Sequence, residues 1–90
     1  MPRLHLIVNG RVQGVYFRHS VSELADELGL FGWVGNRGDG AVEIVAEGPR
    51  ENLERMRTFC EEGPEEAVVS SVQEIPDHET GEFRVFSIRG

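Results

Sequence analysis

The chain contains no lysine, and all nine of its basic residues are arginine. Mechanisms built on an ε-amino group are therefore closed to it: Schiff-base formation, a catalytic lysine base and the lysine-dependent phosphate loop. Cysteine occurs once, at Cys60, so no intramolecular disulfide can form, and neither a C-x-x-C pair nor a Cys/His cluster with zinc spacing is present. No structural metal and no cofactor are expected. No apolar run approaches the roughly 20 residues that span a bilayer. The N-terminal MPRLHLIVNG also lacks the apolar core and small-residue cleavage site of a signal peptide. The expected setting is a reducing cytoplasm, away from membranes.

Positive charge is scarce. The formal net charge is −7 and the pI near 4.8, which sets the protein against nucleic acid and anionic membrane surfaces. The imbalance is uneven, with four arginines against five acids up to residue 45 and five against eleven beyond it. No acid precedes Glu23, yet Arg3, Arg11 and Arg18 all fall in that stretch, where an anion is held without repulsion from sequence neighbours. Ninety residues, 39% of them apolar, suffice for one ordinary globular domain spanning 1–90.

Leu4, Leu6 and Val8 alternate with polar or outward residues, the period-two pattern of a half-buried strand ending near Gly10. Phe17, Val21, Leu24, Ala25 and Leu28 then follow helical spacing, with Gly29 as the stop. The helix start is open between Phe17, which belongs to the apolar stripe, and a Ser20/Glu23 capping box; either choice leaves Arg18 in or at the first turn. A hairpin follows, with Trp33 and Val34 on one arm, the turn N-R-G-D-G at 36–40, and Val42, Ile44 and Ala46 on the other. Gly48 and Pro49 open a second helix whose inward face is Leu53, Met56, Phe59 and Cys60. A β-rich run over 66–75, an acidic turn PDHETGE and a closing strand through Phe83, Val85, Phe86 and Ile88 complete the chain. Two helices with one apolar stripe each must cover one face of the sheet. The expected fold is α+β, a ferredoxin-like two-layer sandwich of β-α-β-β-α-β plus a short closing strand, with a mixed but mainly antiparallel sheet.

Between the first strand and the first helix lies G-R-V-Q-G-V-Y-F-R, Gly10 to Arg18. Main-chain N–H groups at a helix start have no intrahelical acceptor, so a strand-loop-helix passage is a potential anion cradle. Gly10 and Gly14 permit a tight curve, and Arg18 adds a planar fork able to hold two oxygens of a phosphate or carboxylate. Glycines in such a connection ordinarily serve the turn, and an arginine there ordinarily reaches into solvent; the coincidence of cradle, charge and missing acids is what opens an anion-binding reading. The segment matches neither the Walker loop nor the dinucleotide fingerprint.

That stretch resembles the signature of the acylphosphatase family, and G-W-V-G-N-R-G-D-G-A-V-E, Gly32 to Glu43, resembles the same family's second signature. The two occur in the expected order and spacing, and the likeness runs over essentially the whole chain. The resemblance implies hydrolysis of a carboxyl-phosphate anhydride to carboxylate and inorganic phosphate, with no metal and no phosphoenzyme. It implies that Arg18 and the main-chain amides of Gln13, Gly14, Val15, Tyr16, Phe17 and Arg18 hold the phosphoryl oxygens. Asn36 would orient the attacking water, and a substrate phosphate oxygen would accept the proton. Positioning and charge stabilisation suffice for such a step, because an acyl phosphate already carries a good leaving group. On spacing alone Asn36 is accounted for by hairpin geometry; its pairing with the Arg18 loop is what lends it a catalytic part. Gly35 departs from the family, which more often carries a larger or basic residue there, and Arg37 is expected to restore positive charge nearby.

The alternative is a non-catalytic module that binds phosphate or an acyl phosphate. Related segments open the longer hydrogenase-maturation carbamoyltransferases, and the length here favours a free-standing monomeric enzyme. Other residues offer less. His19 and Ser20 are helix neighbours about 100° apart and make no Ser/His pair. Histidines 5, 19 and 78 show no ligand spacing, Cys60 reads as a core residue, and Phe31 and Trp33 read as packing residues and not as a base-stacking platform. Glu61, Glu62, Glu65 and Glu66 read as a solvated face.

Overall fold

The alternation around Leu4, Leu6 and Val8 produces strand β1 (Arg3–Arg11) in the computed structural model, which describes every residue from Met1 to Gly90. It is followed by α1 (Phe17–Leu28), β2 (Phe31–Asn36), β3 (Val42–Glu47), α2 (Arg50–Glu62), β4 (Val68–Glu74) and β5 (Phe86–Arg89). The five strands form one mixed sheet in the order β4-β1-β3-β2-β5. All neighbours are antiparallel except β2 and β5, which run parallel. The expected ferredoxin-like arrangement is present, with the fifth strand added beside β2.

Register decides what each face carries. Leu4, Leu6 and Val8 stand opposite Ala46, Ile44 and Val42, and these in turn stand opposite Gly32, Val34 and Asn36. Since side chains alternate along a strand, this set shares the face covered by the helices. Val21, Ala25 and Leu28 of α1 and Leu53, Met56 and Cys60 of α2 close over it, and all but Leu28 and Leu53, at 8% and 6% exposure, are fully buried. The Asn52 side-chain amide donates to the Leu28 carbonyl at 2.9 Å, so α2 also satisfies a carbonyl at the end of α1.

One expectation is corrected, one open choice is decided, and one segment does more than expected. The closing strand begins at Phe86, not Phe83, although the Val85 carbonyl already accepts from the Gly32 amide at 3.0 Å. The Ser20/Glu23 capping box does not form: α1 starts at Phe17, and the Ser20 hydroxyl donates to the Tyr16 carbonyl at 3.0 Å. The acidic turn at 76–82 does more than reverse the chain. It folds across the face of the sheet opposite the helices, where the Thr80 amide donates to Glu47 at 3.0 Å and Arg3 donates to Thr80 at 2.8 Å. The Phe83 ring lies 5.1 Å from the Arg3 guanidinium carbon.

Candidate active site

The chain leaves β1 through a register shift between Asn9 and Gly10 against β4, which turns it out of the sheet toward the start of α1. Val12 and Val15 are anchored in the core at 1% and 5% exposure. Between and after them, Gly14 and Tyr16 take left-handed backbone conformations with φ of 75° and 70°, while Val15 does not. Positive φ on either side of Val15 bends the loop sharply before α1 begins. For Tyr16, which has a Cβ, the left-handed conformation costs roughly 1–2 kcal/mol, and strain of this order persists where its surroundings enforce it.

None of the amides from Gln13 to His19 donates to a backbone or side-chain acceptor of the protein. Beside this segment lies a recess of about 160 Å³ lined by Val12, Gly14, Tyr16, Phe17, Arg18 and His19. No acid is among these lining residues, and α1 has no acidic residue in its first turn to compete for its positive end. A larger hollow of about 340 Å³ on the opposite face includes Glu47 and Glu79 in its lining, which disfavours an anion there. Nowhere are three His, Cys, Asp or Glu side chains gathered to hold a metal ion.

Of the predicted binding residues, Gly14, Tyr16, Phe17 and Arg18 line this recess. Val15 is a core residue outside the lining, and the Gln13 side chain points away to the hairpin, where Nε2 donates to the Arg37 and Ala41 carbonyls at 2.8 and 2.9 Å. The Arg18 guanidinium donates through Nη1 to the Gly90 carbonyl at 2.8 Å. Gly90 is also a neighbour of Asn36: a Cβ built on it would lie 3.4 Å from the Asn36 carbonyl oxygen.

Asn36 is the last residue of β2 and not a residue of the turn proper, which is closed by the Arg37 amide on the Ala41 carbonyl at 2.8 Å. Its register opposite Val42 puts it on the helix face of the sheet. Its side-chain oxygen, Oδ1, is buried and accepts no hydrogen bond within the protein. A buried carbonyl oxygen without a donor carries a desolvation cost of about 1–3 kcal/mol, which a water donating to it would relieve.

Two expectations about charge are corrected here. Of the three arginines in the acid-free stretch, only Arg18 lines the recess. Arg11 is exposed, and Arg3 pairs with Glu47 at 2.7 Å and with Asp77 at 3.3 Å near the opposite end of β1. Arg37 restores no free positive charge beside Gly35, because it pairs with Asp39 at 3.2 Å and Glu43 at 3.5 Å. Asp39 sits below its ordinary carboxyl range, chiefly because it accepts from the Ala41 amide, with Arg37 adding to the effect against a smaller cost of burial.

A family model for acylphosphatase matches residues 4–88. The chain belongs to the acylphosphatase family. It is 55% identical over 86 residues to an acylphosphatase of Marinobacter nauticus, covering 93% of this chain and 91% of that one. The crystal structure of the acylphosphatase from Bacillus subtilis covers both chains fully, with a TM-score of 0.93 at 39% identity. Full-length HypF, solved in a phosphate- and nucleotide-bound form, contains a similar segment with a TM-score of 0.82 at 29% identity, covering 99% of this chain and 12% of that one.

Within the acylphosphatase fold both signature segments meet at one end of the sheet, because β1 and β2 flank β3 and run in the same direction. Two contacts here have no local signature that names their partner. Residue 90 reaches the site only through the parallel pairing of β5 with β2, and the Gln13 side chain reaches the hairpin only once the loop is folded. The identity of Gln13 as a long side-chain amide in a glycine-rich loop was the one available signal for the latter.

Proposed function

We propose that this acylphosphatase holds the phosphoryl group of an acyl phosphate in the recess at the start of α1 and directs a water onto phosphorus from Asn36. The amides of Gln13 to Arg18 and the Arg18 guanidinium stabilise the charge on the non-bridging oxygens. The Asn36 carbonyl accepts a hydrogen bond from the water. The water oxygen bonds to phosphorus as the bond from phosphorus to the acyl oxygen breaks, so that the carboxylate leaves with the bonding pair. A phosphoryl oxygen takes the proton, and inorganic phosphate is the second product. No general acid is needed, since a carboxylate is a good leaving group.

The observation that carries this reading is the buried, unpartnered Oδ1 of Asn36 on the helix face of β2. In the same reading residues 1–90 work as one domain, a monomer in the cytoplasm, on a small-molecule substrate, without metal, cofactor, membrane or nucleic acid. The net charge of −7 supports the exclusion of nucleic acid.

The test is hydrolysis of an aryl acyl phosphate in excess chelator, by the wild type and Asn36→Ala. Expected are turnover by the wild type and a lower kcat for Asn36→Ala with inhibition by inorganic phosphate largely retained. Phosphate binding without turnover on several acyl phosphates would instead identify a binding module. Unchanged turnover in Asn36→Ala would remove the water assignment alone.

A further inference from the structure

The two signature segments are joined by one side chain. Gln13, in the loop that forms the recess, places both hydrogens of its Nε2 on the far hairpin: one on the Arg37 carbonyl at 2.8 Å, the other on the Ala41 carbonyl at 2.9 Å. Those carbonyls bracket the β2–β3 turn, which is itself closed by the Arg37 amide on the Ala41 carbonyl at 2.8 Å. Arg37 directly follows Asn36.

From this clasp we infer that Gln13 is a positioning residue for the hydrolysis proposed above, acting through Asn36 by setting the distance between the anion-holding loop and the hairpin. The inference rests on that reading. A primary amide is the group that suits the task, since a single nitrogen offers two donors diverging toward two acceptors. A glutamate of the same length has no donor when ionised and faces two carbonyl oxygens. An asparagine is one methylene too short to span the gap. The other charged groups near the hairpin, Arg37 with Asp39 and Glu43, pair with one another, Glu43 also meeting His5 at 2.6 Å, and none is in the recess lining.

The test is a double-mutant cycle on the full chain, with Gln13→Ala and Gln13→Glu each made in the wild type and in Asn36→Ala. In the wild-type background kcat is expected to fall by about 10- to 100-fold, the scale of a misplacement near 1 Å, with the inhibition constant for inorganic phosphate little changed. In the Asn36→Ala background the same substitutions should change kcat very little, because the group they position is gone. Gln13→Glu keeps the side-chain volume and Gln13→Ala adds no charge, so a loss shared by both would be one of donors and not of packing or of charge.

Equal losses in both backgrounds, or a loss of phosphate inhibition matching the loss of kcat, would overturn the inference by placing the Gln13 side chain in the cradle or in general stability. Full activity in Gln13→Glu would overturn it as well. If Asn36→Ala is severe while the Gln13 variants are silent, only this inference fails. If Asn36→Ala is silent, the water assignment fails and the inference falls with it.

Discussion

Arg18 donates to the Gly90 carbonyl at 2.8 Å, so the end of the closing strand holds the arginine of the first signature in place. One donor of the guanidinium fork is spent on this anchor, and the others remain for an oxyanion. The anchor exists because β5 runs parallel to β2, with Gly35 opposite Arg89, which delivers residue 90 to the site end of the sheet.

Arg18→Ala removes both the charge at the recess and the link to Gly90. Its kcat/KM on an aryl acyl phosphate should fall by about 10²- to 10³-fold, or roughly 3–4 kcal/mol, the scale of one oxyanion donor. Arg18→Lys should recover little, because a single ammonium cannot reproduce a planar two-point grip while keeping the Gly90 contact. Steady-state kinetics on the three proteins check this. Near-normal activity in Arg18→Lys would show that point charge alone suffices.

Gly35 lies in β2 and not in the turn. A Cβ at residue 35 would stand 2.6 Å from the Arg89 carbonyl oxygen. Gly35→Ala should therefore push β5 away from β2, lower stability by about 1–3 kcal/mol and reduce turnover through the Arg18 anchor. Thermal melts and kinetics on the purified variant decide it. A rise in melting temperature would mean that β5 shifts at no cost.

The Glu47 carboxylate resists charge through burial, but the Thr80 amide, Arg3 and the Gly81 amide outweigh that cost and hold it below its ordinary value of 4.5. A carboxyl depressed in the folded state stabilises the protein above its unfolded pKa, and that stability is lost as pH falls through the folded pKa. Urea midpoints should thus drop on acidification below about pH 4.5. Glu47→Gln should lower stability near neutrality by about 1.5–3 kcal/mol and blunt the acid dependence. An unaltered acid slope in Glu47→Gln would assign the effect to other carboxyls, Asp77 foremost.

Cys60 is fully buried, and burial pushes its thiol up to about 12. The native protein should leave an aromatic disulfide reagent unreacted at pH 8, and denaturant should release one thiol per chain. Absorbance with and without guanidinium reads this directly. Rapid reaction of the native state would mean that α2 opens readily.

Most elements and the faces they bury were legible because hydrophobic periodicity is a local property. Leu4, Leu6 and Val8, and then Phe17, Val21, Ala25 and Leu28, report strand and helix whatever lies across from them. Arg18 and Asn36 stood out through motif likeness, with the helix start as the physical reason for the first. The partners of the polar residues were not legible. Arg3 and Arg37 look like free cations in sequence, yet each is neutralised by acids 44 and 2 residues away respectively, and periodicity records only that a position is polar. The acidic 76–82 stretch reads only as a turn for the same reason, since nothing local announces that Glu47 and Arg3 will bind it.

The order of strands and helices, the buried stripes and the glycine-rich passage into α1 belong to the sequence alone, since each follows from spacing along a single segment. Tertiary structure alone decided that Asn36 faces the helices, that Gln13 spans two loops, and that Gly90 anchors Arg18. These depend on strand register and on contacts between residues 24 to 72 positions apart, where the geometry of folding, and not local preference, selects the partner.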